Sequence, residues 1–272
     1  MRKNRKEIAQ LIYKNLHTKK EILKTQFLKS KNNIGFFVVD DLLDKDLAEE
    51  IYTKFPKKED AVKRKNLREY KYTAYQMNLY NPLLEEVIYA FQDKKVIELV
   101  SEICGLEGVY EDDSLYAGGL SLMGENNFLN PHLDNSHDKN RNRWRILNLL
   151  YYVTPNWQLD NGGNLELWQN GLNEKPTIVE SKFNRLVVMA THQNSWHSVG
   201  KVTADKVRCC VSNYYFSDTP LLNTDTFHVT TFRGQPTKKA IDFMLQVDNV
   251  LRTSLRKIFR KGVRENPHQY KK

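Results

Sequence analysis

The chain has 272 residues, 40% hydrophobic and 28% charged, a balance that excludes collagen, coiled coil and whole-chain disorder. Its formal charge of +9 is uneven: residues 1–30 carry +7, residues 233–272 carry +8, and the middle carries −6. A basic chain suggests nucleic-acid binding, but that role would fall to the two ends and not to the acidic centre.

In chain order, residues 6–28 predict a helix, with Ile8, Leu11, Ile12 and Leu16 recurring on one face. IGFFVVDD (34–41) reads as a short buried strand. A helix over 41–55 follows, opened by Asp41 or Asp44. Residues 56–72 are so highly charged that they predict a mobile loop or an exposed face. Asn81-Pro82 opens a helical region to 104, whose apolar set is Leu84, Val87, Ile88, Phe91, Val96 and Leu99. From about 110 short β-rich runs alternate with turn signals: 115–123, 145–153, 163–168, 177–180, 185–190, 197–202 and 207–216. Asn161-Gly162-Gly163 and Asn170-Gly171 are hairpin-type turns. Residues 237–262 return to helical spacing, and Ile241, Met244, Val247, Leu251, Leu255 and Ile258 form a stripe expected to pack on the β core. Many short, evenly spaced strands predict a sandwich or barrel.

Cysteine is scarce (Cys104, Cys209, Cys210) and odd in number, which predicts a reducing compartment without a disulfide framework or a paired zinc motif. The N-terminus lacks the apolar stretch of a signal peptide, and no run reaches transmembrane length. A cytoplasmic protein is expected.

Chemistry is concentrated in His132-Leu133-Asp134. Residues i and i+2 of a strand point to one face, so this spacing sets an imidazole beside a carboxylate. Two histidines and one carboxylate on one face of an octahedron are the ligand set of non-haem Fe(II) oxygenases. An HxD alone arises by chance in roughly one such chain in three, and the bland reading is a turn histidine beside a solvated acid. The third ligand must come from elsewhere. His197, at the start of another predicted strand, is the leading choice over His137 and His192, which are expected in loops. Arg208 lies eleven residues later in an apolar strand (Val207, Cys209, Cys210, Val211), where it is costly unless it meets an anion. That anion could be a ligand carboxylate or a protein acid.

HLDN, RILNLLYYVTPNW, NGGNLELW, FNRLVVMATHQNSWHSVGKV and VRCCVSNYYFS occur in an order that resembles the catalytic core of the 2-oxoglutarate/Fe(II)-dependent dioxygenases, prolyl 4-hydroxylase-like branch. The resemblance covers about 115 to 217, and IGFFVVDDLLDKDLAEEIYTKFP resembles that family's leading strand and helix. It implies a mostly β fold with flanking α: a double-stranded β-helix (jelly-roll, cupin-like barrel) with helices packed on one sheet. The expected organisation is one compact domain: a helical region (1–109), the catalytic core (110–220), and a tail with a basic amphipathic helix (221–272). The resemblance further implies Fe(II), 2-oxoglutarate and O₂ as cofactor and co-substrates. Carried over by position, His132, Asp134 and His197 would be catalytic metal ligands. Arg208 would bind the distal carboxylate of 2-oxoglutarate with Tyr152, and Asn148 would line the pocket. Leu122 stands where many relatives have a tyrosine. Halogenases of the superfamily have a small residue where this chain has Asp134, so hydroxylation of an unactivated C–H, with release of succinate and CO₂, is expected.

The substrate is expected to be an amino acid, a peptidyl residue or another small biosynthetic molecule, and Arg141, Arg143 and Arg145 near the mouth suit an anionic one. The competing readings are a non-catalytic jelly-roll binding module, a basic nucleic-acid-associated protein, and a homodimer joined through the C-terminal helix.

Overall fold

A computed structural model describes residues 3–258 and 268–271. The predicted first helix is two: α1 (Arg5–Thr18) and α2 (Lys20–Ser30) meet at Lys19. Asn4 and Glu7 form a reciprocal capping box on α1. Ile8, Ile12 and Leu16, at i, i+4 and i+8, are buried, each burial stabilising by roughly 1.5–3 kcal/mol. After β1 (Phe36–Val39), α3 (Lys45–Thr53) buries Leu47, Ala48 and Ile51. The second helical region also splits, into α4 (Pro82–Ala90) and α5 (Lys94–Cys104). Asn81 caps the first with Pro82 in its opening turn, Asp93 caps the second, and Gly105, at φ +64°, ends it.

The charged segment after residue 56 is not a loop. It contains β2 (Val62–Lys65) and β3 (Glu69–Ala74), an antiparallel hairpin whose second strand pairs with two central strands. Cross-strand pairing by Tyr70, Tyr72 and Thr73 outweighs the charge, because one face of the hairpin stays wet.

The remaining strands are β4 (Val109–Tyr110), β5 (Gly119–Met123), β6 (Phe128–Leu133), β7 (Trp144–Tyr152), β8 (Leu165–Leu167), β9 (Thr177–Val179), β10 (Arg185–Ala190), β11 (His197–Val199), β12 (Arg208–Ser217) and β13 (Thr231–Phe232). All thirteen join one curled antiparallel sheet: ten follow the path β1-β10-β7-β12-β5-β3-β6-β11-β8-β9, and β2, β4 and β13 pair with β3, β12 and β6 beside it. This is the expected architecture: a mostly β fold of double-stranded β-helix type, with helices on one side.

Strand periodicity divides the two faces. On β7, Leu147, Leu149 and Tyr151 join the core shared with Ile12, Leu16, Val87 and Val100 of the helices, while Asn148, Leu150 and Tyr152 point the other way. On β12, Cys209, Val211 and Tyr215 face that helical core, so Arg208, Cys210, Ser212 and Tyr214 face the inside of the curl. Leu122 of β5 packs among the helix-facing residues, leaving its neighbours Ser121 and Met123 on the inside.

The final helix, α6 (Lys239–Ile258), departs from expectation. Met244, Val247, Leu251 and Leu255 are exposed and do not pack on the barrel. Polar anchors set its rotation instead. Asp242 holds Arg233, Asp248 holds Arg68, and the Asn249 amide bonds to the Phe232 backbone, with Leu245 as the buried apolar residue between them. Bidentate arginine pairs fix direction where apolar contact alone would not. Ile258 lies where side chains are not described. No helix among the described residues is long and apolar enough to cross a membrane.

Candidate active site

β6 and β11 are antiparallel neighbours, and His132 and His197 are direct cross-strand partners in their register. Sixty-five residues of sequence separation therefore close to a ring-to-ring distance of 4.1 Å. Asp134 follows immediately after β6. Its two carboxylate oxygens lie 3.5 Å from His132 Nε2 and 3.7 Å from His197 Nε2. One ligand atom from each of the three residues falls within 4.8 Å of the others, and no other such cluster occurs among the described residues.

The opposite ring nitrogens are tied to backbone. His132 Nδ1 lies 3.1 Å from the Asn130 carbonyl and His197 Nδ1 lies 2.9 Å from the Ser195 carbonyl. A carbonyl accepts only, so both Nδ1 atoms carry the proton and both Nε2 lone pairs face Asp134. Burial, with His132 alongside, lowers His197 to about 4 and keeps it neutral. Burial alone would raise Asp134, but its neighbours His132, His197 and Arg145 outweigh burial and hold the carboxyl well below its usual range. A neutral His197 and an ionised Asp134 are in the protonation states a divalent metal requires. Asn148 donates to Asp134 Oδ2 at 3.2 Å and so fixes that carboxylate, while its own Oδ1 is buried without a hydrogen-bond partner. Phe232 of β13 stacks on His132 at 5.3 Å.

These residues border a cavity of about 90 Å³ whose wall also holds Arg208, together with Leu150, Leu165 and Val199. Arg208 is 3% exposed and forms no ion pair among the described residues. Its contacts are neutral: Ser181 Oγ at 3.3 Å, Met123 Sδ at 3.3 Å, and the Tyr152 ring 5.0 Å below the guanidinium. Tyr152 is wholly buried behind Arg208, and its hydroxyl has no hydrogen-bond partner. Burial raises that phenol despite the nearby Arg208 charge, so it stays protonated. A buried guanidinium that faces a cavity and is paired with no acid is unsatisfied until an anion arrives. The donor set and the unpartnered polar groups thus fit a divalent metal and a dicarboxylate.

His137 and His192 lie apart from this cluster. His137 is buried against Tyr116 and Phe227, and His192 sits in the turn before β11, where its Nδ1 accepts from the Asn194 backbone. Of the three arginines expected at the mouth, Arg145 alone lines it. Arg143 stacks on Tyr110 at 3.6 Å and pairs with Asp218, and Arg141 lies over Phe227. Lys71 and Thr73 of β3 line the cavity, a place that a mobile loop or exposed face over 56–72 does not predict. The alternation in Tyr70-Lys71-Tyr72-Thr73 was the available signal.

Gly163 does more than turn the chain. It has φ +65°, and a Cβ there would stand 2.8 Å from Val202 Cγ2 and 3.1 Å from Arg208 Cδ. Gly163→Ala is expected to cost about 1–2 kcal/mol for the left-handed backbone and to displace Arg208. A lowered thermal midpoint together with weakened 2-oxoglutarate binding by calorimetry would show both effects.

Residues 118–216 match the model of the 2OG-Fe(II) oxygenase superfamily. A prolyl hydroxylase from Trichoplax adhaerens, solved with a hypoxia inducible factor peptide, is similar at 19% identity and a TM-score of 0.53, covering 74% of this chain and 92% of its own. A prolyl-4-hydroxylase from Pseudomonas putida is similar at 16% identity and a TM-score of 0.53, covering 72% and 98%. Prolyl 4-hydroxylase from Phytophthora capsici gives 19% identity and a TM-score of 0.55, covering 90% and 77%. No curated protein sequence matches. The resemblance read from the motifs is borne out by the superfamily model and by the shared fold.

Proposed function

We propose that in this chain, a non-haem iron 2-oxoglutarate-dependent oxygenase by its domain at residues 118–216, His132, Asp134 and His197 hold the iron and Arg208 holds the distal carboxylate of 2-oxoglutarate. One observation carries the assignment: three metal-ligating side chains with correctly set protons share a cavity with a buried arginine that has no acid partner. When bound, iron with 2-oxoglutarate and O₂ supplies the oxidative decarboxylation to succinate and CO₂ that drives hydroxylation of an unactivated C–H.

The chain's residues bind, orient and keep dry. The two Nε2 atoms and one Asp134 oxygen would hold the metal. Asn148 holds the carboxylate in place, and the Nδ1–carbonyl bonds hold the rings. With Asp134 as a ligand, the gap that a small residue leaves in halogenases would be filled, and hydroxylation is the expected outcome. The Arg208 fork pairs with a carboxylate, with the Tyr152 face beneath it. Leu150, Leu165 and Val199 exclude water from the space between.

The substrate class is an amino acid, a peptidyl residue or a small biosynthetic molecule; the Trichoplax adhaerens relative in its solved structure holds a peptide. Three buried, free cysteines suit the reducing cytoplasm. The test is succinate formation from 2-oxoglutarate by purified protein. It is expected to require added Fe(II) and to stop on chelation. Succinate release that is indifferent to iron would overturn the reading in favour of a binding module.

A further inference from the structure

The cavity opens into a wider cleft of about 300 Å³ that His132 and Asp134 also line. Five cationic side chains border it: Arg64, Arg68, Lys71, Arg145 and Arg252. Lys71 is matched by Glu69 at 3.1 Å. Arg68 and Arg252 share one carboxylate, Asp248. Arg64 donates to Thr73 Oγ1 and to Nδ1 of His268, both neutral acceptors, and it also feels Glu69, which is already bonded to Lys71.

Arg145 is the more telling group. It is 2% exposed, lies 3.8 Å over the Tyr214 ring and donates to the Tyr116 carbonyl. Its Nε is buried with no acceptor. Asp112 and Asp134 feel its charge, but neither forms an ion pair with it, nor does any other described acid with Arg64 or Arg145. With Asp134 committed to the metal, five cations face Glu69 and Asp248, and among the described residues three positive charges stay unmatched around one opening.

Buried guanidinium without a counter-ion is unfavourable, and its planar fork matches phosphate or carboxylate oxygens in pairs. A phosphoryl group carries about −1.5 to −2 at pH 7 and three acceptor oxygens, which answers several cations at once where a single carboxylate would not. The cleft has the volume of a small-molecule site, and Tyr116 and Phe232 on its wall give a ring somewhere to lie. Resting on the iron-site reading above, we propose that the substrate is a phosphorylated small molecule. Its phosphoryl group binds Arg145 and Arg64, and its oxidisable carbon faces His132 and Asp134.

The experiment is calorimetric titration at low salt of protein loaded with Mn(II) and saturating 2-oxoglutarate, with phenyl phosphate as probe and benzoate and a single-stranded oligonucleotide as comparisons. Phenyl phosphate is expected to bind the loaded wild type, to bind roughly tenfold or more weakly to Arg64→Gln and to Arg145→Gln, and to be partly rescued in Arg64→Lys. Arg143→Gln, on a residue outside the cleft, should bind the probe as wild type does. Arg145→Gln alters a buried site and can fail to fold; Arg64→Gln, on a half-buried hairpin, then decides alone. No binding of phenyl phosphate, equal binding of benzoate, tighter binding of the oligonucleotide, or unchanged affinity in Arg64→Gln would each overturn the proposal. If the wild type does not first take up Mn(II) and 2-oxoglutarate, the iron-site reading fails and this one with it. If it does and phenyl phosphate does not bind, the phosphoryl proposal fails by itself.

Discussion

Alanine at His197 is expected to abolish Fe(II)-dependent succinate release while leaving the sheet folded. The imidazole is 3% exposed, its proton is held by the Ser195 carbonyl, and its lone pair faces Asp134. No neighbour can replace it. His192 sits outside the cluster, and His137 packs against Tyr116 and Phe227. Groups that merely orient a metal ligand cost about 10–100-fold in affinity or activity when lost. Asn148→Ala is expected in that range, and His197→Ala beyond it. Iron binding measured by calorimetry with Mn(II), circular dichroism for the fold, and succinate release together separate a lost ligand from a lost structure. Wild-type turnover in His197→Ala would move the third ligand elsewhere, and His192→Ala would be the next variant to test.

How much of this was legible in the sequence differs by element. Strands β7, β10 and β12 are nearly continuous apolar runs buried on both faces, and such runs announce themselves. The hairpin of β2 and β3 did not, because one side is wet and carries the charges that signal a loop. The stripe on α6 was a correct period with a wrong partner. Its rotation is set by Asp242, Asp248 and Asn249, whose partners Arg233, Arg68 and Phe232 cannot be matched from spacing. In the site, HxD is local and readable, whereas His197 reaches His132 through strand register, which no local pattern encodes. The motif order behind the family resemblance substituted for that missing information.

Charge follows the same logic. The two basic ends look alike in composition but have different fates. The N-terminal end forms α1 and α2, which pack on the helical side of the sheet. The C-terminal end carries Arg252 and His268 to the mouth of the cavity, beside Arg64 and Arg68 of a hairpin nearly two hundred residues earlier. The mildly acidic middle of the chain therefore carries the candidate metal-ligating cluster, yet the entrance to it is positive, because the short basic run 63–71 is folded beside Arg145 and Arg252.

Arg208→Gln is the second variant with a large expected effect, and its signature is twofold. First, 2-oxoglutarate affinity should fall by about 100-fold or more, since a paired, charge-assisted contact contributes roughly 3 kcal/mol or above once desolvated. Arg208→Lys should fall between the two, because an ammonium keeps the charge but loses the fork. Second, the ligand-free protein should melt no lower than wild type. Arg208 is buried against Ser181, Met123 and Tyr152 with no counter-ion, so its charge opposes folding until a carboxylate binds. A neutral amide removes that cost. Weaker binding joined to undiminished stability distinguishes an anion anchor from a structural arginine, whose loss would lower both. Unchanged 2-oxoglutarate affinity in Arg208→Gln would reassign the anchor to Lys71, the other cation on the cavity wall. Lys71→Gln would then carry the loss. Because Lys71 is already paired with Glu69, that variant would strand a half-buried acid and destabilise the apo-protein, so the thermal melt tells the two anchors apart even before 2-oxoglutarate is added.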